Sequence, residues 1–214
     1  MYDWLSLNFS VLVILNYPIS LLEFFGILSG LICVYTAAKN WIITWPVGIF
    51  NSICFFFLFY QVQLYSDMLL QVYFFGSSVY GWIYWSKRKG VEIPITVLGA
   101  KLFILLLSLI LLFSYLLGEF TIQLPNLIPK YFALPPSYPY FDAFTTIASI
   151  VANFLLAKRI LQSWYLWISV DVVCISLYFL KGIDLVAMEY VVFLLIAIYG
   201  VVFWKKNSEV RSTH

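Results

Sequence analysis

Charge is scarce in this chain. Only 10% of its 214 residues are Asp, Glu, Lys or Arg, while 64% are hydrophobic; a soluble domain carries about a quarter charged and about half apolar residues. No water-soluble globule could hide that much apolar surface, so the sequence belongs in a lipid bilayer. A net charge of +2 gives no reason to expect a nucleic-acid partner. Histidine is nearly absent too: His214, the last residue, is the only one. A Ser-His-Asp triad or a His-based metal centre inside the membrane is thereby excluded. The three cysteines, Cys33, Cys54 and Cys174, lie in apolar runs without CxxC or other ligand spacing. They read as small core residues, and neither a metal site nor a cofactor is expected. The N-terminus lacks the basic region and small-residue cleavage site of a secretory signal, so it is expected to be retained.

What is abundant is apolar sequence in membrane-length runs. A helix needs about 20 mostly apolar residues to cross the hydrocarbon. Seven stretches come close: Leu21 to Ala38, Trp45 to Gln61, Asp67 to Trp85, Ala100 to Leu117, Phe141 to Ala157, Trp164 to Leu180 and Ile183 to Trp204. Trp4 to Asn16 is apolar but short, and Pro18 follows it, so residues 1–20 are expected to form an N-terminal segment with an interfacial or half-buried helix, an eighth span being the alternative. Aromatic residues make up 21% of the chain, which suits interfacial belts of Trp and Tyr together with a stacking pocket.

Alternating the loops across the bilayer places Lys39, Lys87, Arg88, Lys89, Lys101, Lys158, Arg159, Lys205, Lys206 and Arg211 on one side, and only Lys130 and Lys181 on the other. Basic loops face the cytoplasm, so the C-terminus is expected inside. The stretch Glu119 to Tyr140 holds Pro125, Pro129, Pro135, Pro136 and Pro139, and is expected to be an irregular external loop.

An offset of 119 residues superposes Ala38 on Ala157, Lys39 on Lys158, Trp45 on Trp164, Phe74 on Phe193, Tyr80-Gly81 on Tyr199-Gly200, and Trp85 on Trp204. Helix-end markers recurring at one offset indicate a duplicated three-helix unit. An odd number of spans repeated directly would emerge inverted, so the extra span at Ala100 to Leu117 is needed to make the halves parallel. The expected fold is therefore all-α integral membrane, seven transmembrane helices in a 3+1+3 arrangement of parallel three-helix repeats. Its parts are an N-terminal segment (1–20), a first repeat (21–89), a linker helix (90–118), the external loop (119–140), a second repeat (141–206) and a cytoplasmic tail (207–214). The linker, almost pure Leu, Ile and Phe, reads as lipid-facing and structural. Parallel repeats of this kind recur in transporters, with substrate near the midplane.

Polar chemistry collects on few helix faces. Trp164, Trp167, Asp171, Cys174 and Tyr178 follow steps of three and four, which is one face of the sixth span. An ionised aspartate in hydrocarbon costs about 2.5–3.5 kcal/mol, so Asp171 is expected to face the bundle or a watered cavity. The competing reading is that it only hydrogen-bonds neighbouring helices. Asp142, Thr146, Ser149 and Asn153 form a second stripe on the fifth span, where packing between helices is the competitor. The third span aligns Gln71, Phe74, Ser78, Gly81 and Trp85, and the second carries Gly48, Asn51, Ser52 and Phe55 close to one face. Such a lining fits a flat, neutral or cationic ligand bearing an amide and a sugar. With no Lys or Arg in a span interior, nothing clamps a phosphate, and an unphosphorylated ligand is expected to be selected.

These motifs resemble the PnuC family of bacterial vitamin transporters. The resemblance rests on Trp45-Pro46-Val47-Gly48 with Asn51, on Tyr65-Ser66-Asp67-Met68-Leu69-Leu70-Gln71-Val72-Tyr73-Phe74, on Tyr80-Gly81-Trp82-Ile83-Tyr84-Trp85, and on Trp164-Tyr165-Leu166-Trp167 with Asp171, Tyr178 and Gly182 downstream. It covers the chain from Phe24 to Lys206. It implies a fold akin to the sugar-transporting SWEET proteins, with one substrate site at the pseudo-symmetry axis, in a bacterial inner membrane. It also implies facilitated diffusion of nicotinamide riboside, trapped by a cytoplasmic kinase that phosphorylates it. Carried over by position, Trp164 and Trp167 would bracket the ligand, with Gln71, Asn51, Asn153, Asp171 and Tyr178 as polar partners and Phe74 and Trp45 completing the aromatic lining. Thiamine and riboflavin are the alternative substrates within the family. A proton-coupled carrier is the alternative mechanism, since Asp171 or Glu189 could load a proton. A membrane enzyme is disfavoured because Asp142 and Asp171 lie on different spans without a His or Cys companion. Whether the chain forms a homo-oligomer is left open.

Overall fold

The computed structural model describes residues 10–14, 17–61, 65–87, 94–128, 137–180 and 184–212. Two strands, β1 (Ser10–Ile14) and β2 (Tyr17–Ser20), precede seven helices: α1 (Leu21–Ala38), α2 (Thr44–Gln61), α3 (Tyr65–Ser86), α4 (Ala100–Leu127), α5 (Pro139–Ala157), α6 (Gln162–Leu180) and α7 (Asp184–Ser212). Among the described residues, α1, α4, α5, α6 and Val186–Ser208 of α7 are long and apolar enough to cross a membrane. The protein is a membrane protein of the all-α class, with one short hairpin before its helices. Of the expected basic flanks, Arg88, Lys89, Lys130 and Lys181 lie outside the described residues, as do Trp4 and Gly182.

The expected helix before Pro18 is not found where the chain is described. Ser10–Ile14 instead pairs antiparallel with Tyr17–Ser20, Leu12 opposite Ile19 and Val13 opposite Pro18. Val11, Val13 and Ile14 are β-branched and stiff at χ1, which favours a pleated strand. Pro18 disfavours helical backbone at Tyr17 as well. The hairpin leads directly into a capping box: Ser20 Oγ accepts from the Glu23 amide at 3.2 Å, and Glu23 Oε2 accepts from the Ser20 amide at 2.7 Å. This Ser-x-x-Glu pattern before an apolar run is the sequence signature of a helix start.

Residues Met1–Ile93 and Pro94–His214 form two compact units. In the first, α2 packs on α1 and α3. Small residues allow the close approach: a Cβ on Gly48 would stand 2.9 Å from Ser78 Oγ and 3.4 Å from Cys33 Sγ. Thr44 Oγ1 donates to the Cys33 carbonyl at 2.9 Å, and Asn51 Nδ2 donates to the Gly26 carbonyl at 2.8 Å and Ser29 Oγ at 3.1 Å. Hydrogen bonds of this kind join helices where no hydrophobic drive separates helix from lipid.

The second unit contains α4 as well as α5 to α7, so the expected linker helix is an integral part of it. Most of α4 is exposed, as a lipid-facing helix should be, but Ile110, Ser114 and Gly118 form a buried seam at four-residue spacing. Ile110 joins a core with Ala148, Ala152, Leu155, Leu166, Val170 and Cys174. The expected irregular loop also begins later than Glu119, because α4 continues to Leu127 with Pro125 inside its last turns. At the start of the extension, Tyr140 stacks on Tyr115 at 5.9 Å and its hydroxyl donates to Glu119 at 2.5 Å. Residues 129–136 of that stretch lie outside the described residues.

A backbone staple fixes the entry to α4. Thr96 pairs with Ile160 in a parallel bridge, its amide donating to the Arg159 carbonyl and its carbonyl accepting from Leu161, both at 2.9 Å. Next to it the buried amide of Gln162 donates to the Leu98 carbonyl at 2.9 Å and accepts from the Leu98 amide at 3.0 Å. Gln162→Ala leaves both Leu98 groups unpaired and is expected to cost about 1–3 kcal/mol. Thermal unfolding of the purified variant in detergent checks this, and an unchanged midpoint refutes it.

Candidate functional site

The start of α6 is built from a turn that occurs twice. After α1, the Asn40 amide donates to Ala37 and the Trp41 amide to Thr36, both at 2.9 Å; after α5, the Arg159 amide donates to Leu156 and the Ile160 amide to Leu155, also at 2.9 Å. Asn40 (φ 60°) and Arg159 (φ 58°) occupy the left-handed position that closes each helix, the pattern of a Schellman end. Lys39 sits over Tyr35 and Lys158 over Phe154, each 5.9 Å from the ring centroid. Each turn then opens a helix whose first residues carry a tryptophan: Trp45 in α2 and Trp164 in α6.

Those two tryptophans are clamped alike. Trp45 meets Trp85 edge to face at 5.2 Å and 86°, and Trp164 meets Trp204 at 5.7 Å and 82°. A Cβ on Gly81 would fall 2.5 Å from the Trp45 ring, and one on Gly200 2.7 Å from the Trp164 ring. Only glycine lets the indoles lie so close to the α3 and α7 backbones. Trp164 is 1% exposed and Trp45 2%, so both rings are spent largely on packing within their units. Each indole N–H is nevertheless buried without a hydrogen-bond partner among the described residues, one donor that packing has not used.

Further along α6 the stripe changes character. Trp167 and Tyr178 are half-buried and pack against the core of the second unit, and Tyr178 stacks on Tyr190 of α7 at 5.4 Å and 15°. Asp171 is 3% exposed, and no hydrogen bond or ion pair reaches its carboxylate among the described residues. On α5, Asn153 is buried, while Thr146 donates to the Asp142 carbonyl of its own helix. In the first unit Gln71 is buried and Phe74 half-buried beside Tyr73, with ring centroids 5.7 Å apart. Asn51, expected as a ligand partner, has its amide N–H groups bound to α1 as described above. The nominated residues thus fall into Trp45, Asn51, Gln71 and Phe74 in one unit and Asn153, Trp164, Trp167, Asp171 and Tyr178 in the other.

Sequence reasoning missed the roles of Gly81 and Gly200. The repeated Tyr-Gly dipeptides carried the signal, since a glycine conserved between repeats in a helix interior calls for a packing reason. A groove of about 310 Å³ lined by Phe25, Leu28, Ser29, Ile32, Pro46, Val47 and Phe50 suits lipid better than a polar ligand, because its lining is almost wholly apolar.

Known proteins place this geometry. The Escherichia coli nicotinamide riboside transporter PnuC is 26% identical over 92% of this chain and 90% of its own. The Streptomyces davaonensis riboflavin/roseoflavin transporter RibM is 24% identical over 96% and 93%. The crystal structure of the vitamin B3 transporter PnuC superposes with a TM-score of 0.67 at 24% identity, covering 88% of this chain and 82% of that one, and shows a shared fold. The sequence profile of the nicotinamide mononucleotide transporter family matches residues 20–206, from the capping box to the end of the Trp164–Trp204 clamp, and the chain belongs to that family of membrane transporters.

Proposed function

We propose that this protein carries nicotinamide riboside into the bacterial cytoplasm by facilitated diffusion, with a cytoplasmic kinase trapping the product by phosphorylation. The observation that carries the reading is the α6 face on which the half-buried Trp167 stands one turn before Asp171, which is buried and without a polar partner among the described residues. An indole face and a carboxylate recognise a flat ring with a polar or cationic substituent. The names of the relatives support the vitamin class. Trp164, Trp167, Asn153, Asp171 and Tyr178 are the proposed contacts of the second unit, and Gln71, Phe74, Trp45 and Asn51 those of the first. Two parallel three-helix repeats with α4 between them are supported by the turn and clamp geometry that recurs 119 residues apart. Basic residues concentrated at alternate loops support an inner-membrane protein with a cytoplasmic C-terminus.

Despite the family's description, a phosphorylated nucleotide is not the proposed cargo. Arg159, the buried cation near α6, sits in the turn before it, and the interior of α6 carries no Lys or Arg. A phosphate there would lack a charged partner. Calorimetric titration of purified protein with nicotinamide riboside, its mononucleotide, thiamine and riboflavin tests the reading. Riboside binding without competition by the mononucleotide is expected, and Trp167→Ala should weaken it by about 1 kcal/mol or more. Preference for riboflavin, the substrate named for the Streptomyces relative, replaces the cargo; equal binding of the mononucleotide overturns the phosphate argument.

A further inference from the structure

We infer that Asp171 is the counter-charge for a permanently cationic heteroaromatic ring, so that this carrier selects N-alkylated ring cations over neutral rings of the same shape. The inference rests on the vitamin-transport reading above and goes further by naming the charge state of the cargo.

Asp171 is 97% buried, and no described residue gives it a hydrogen bond or an ion pair. Nor do the described residues of its own unit supply a cation at the same depth. Neither α5 nor α6 contains Lys or Arg, and α7 has none between Asp184 and Trp204. Lys101, the one basic residue of α4, is exposed at its start. The carboxyl side chain within the apolar part of α7 is Glu189, which can bring no positive charge. Asp171 stands midway along α6, about 14 Å by helical rise from Gln162, so Lys158 and Arg159 in the preceding turn are too far to pair with it directly. An ionised carboxylate without a partner in hydrocarbon is costly. A cation that arrives with the cargo removes that cost.

The other repeat shows what the position is without this task. At the same 119-residue offset, Trp167 corresponds to Gly48 and Asp171 to Ser52. Gly48 is closed over by Ser78 and Cys33, and Ser52 spends its hydroxyl on the Gly48 carbonyl at 2.8 Å. In the first unit the face is packed shut and internally satisfied. In the second it presents an indole and, one turn on, a carboxylate with no partner among the described residues. An indole face and a carboxylate together are the partners a flat organic cation requires.

Reduced nicotinamide riboside supplies the control, because its dihydropyridine ring keeps the riboside's size and hydrogen-bonding groups but is uncharged. The wild-type protein is expected to bind the oxidised riboside at least about tenfold more tightly than the reduced one. Asp171→Asn should remove that preference by weakening the oxidised riboside and leaving the reduced one unchanged; Asp171→Glu should retain part of it. Thiamine, a thiazolium cation, should respond to Asp171→Asn as the oxidised riboside does. Equal losses for both ribosides would make Asp171 a structural residue and overturn the inference, as would no loss for either. Should the Asn variant fail to fold, the wild-type comparison decides alone, equal affinities overturning the idea. A wild-type protein that binds neither riboside nor thiamine overturns the transport reading itself; one that binds the riboside irrespective of its charge overturns only the role of Asp171.

Discussion

Trp164→Ala is expected to destabilise the protein by about 3–5 kcal/mol, the range for emptying a buried Trp or Phe site. The size follows from where the ring is: 1% exposed, edge to face with Trp204, and pressed against the backbone at Gly200. Trp167→Ala, by contrast, removes a half-buried ring at the edge of the core and should act more on ligand affinity than on unfolding. Denaturation in mixed micelles measured beside ligand titration separates the two. If Trp164→Ala keeps wild-type stability and loses only binding, the clamp is not structural and the ring belongs wholly to the ligand. Within the WxxW motif the pair of measurements separates packing from recognition: Trp164 is expected to weigh chiefly on the seating of α6 against α7, in addition to its proposed ligand contact, and Trp167 chiefly on affinity.

Gly200→Ala should cost about 1–3 kcal/mol through overpacking, because the new methyl would stand 2.7 Å from a Trp164 ring that has no free direction to retreat. Gly81→Ala should behave alike, at 2.5 Å from Trp45. Gly76→Ala is the control, since nothing lies within 4 Å of its added carbon. The sharper test is a double-mutant cycle: once Trp164 is Ala, the Gly200→Ala penalty should largely vanish, giving a coupling of about 0.5–3 kcal/mol between the pair. Additive penalties would mean that Gly200 is required for backbone reasons of its own.

The helices were legible in sequence because lipid leaves the backbone few choices. Every buried N–H must be paired within its own segment, so an apolar run of sufficient length becomes a helix. The run from Leu21 to Ala38 has identical bounds in the structure. Legibility failed where a local rule lost to a contact distant in sequence. Glu119 to Leu127 reads as loop on its proline content, yet it continues α4, and the contact of Tyr140 with Glu119 at its start is one that composition cannot reveal. Before Pro18, apolarity suggested a helix and β-branching decided for a hairpin. For the α6 stripe, spacing correctly grouped Trp164, Trp167, Asp171 and Tyr178 on one face, but it could not apportion them between packing and recognition. That distinction depends on what each ring touches: Gly200 and Trp204 for Trp164, Tyr190 for Tyr178, and no described polar partner for Asp171.

The Gln162 staple has a consequence for how the chain is made. Its amide joins Leu98 across 64 residues of sequence, whereas the Asn51 bond that ties α2 to α1 spans 25. During synthesis the α1–α2 tie can therefore close while the ribosome is still early in the message. The segment before α4 must wait, its Leu98 backbone groups unclaimed, until α5 has been translated and the first residue of α6 emerges. The order in which these ties become available is set by the positions of two side-chain amides along the chain.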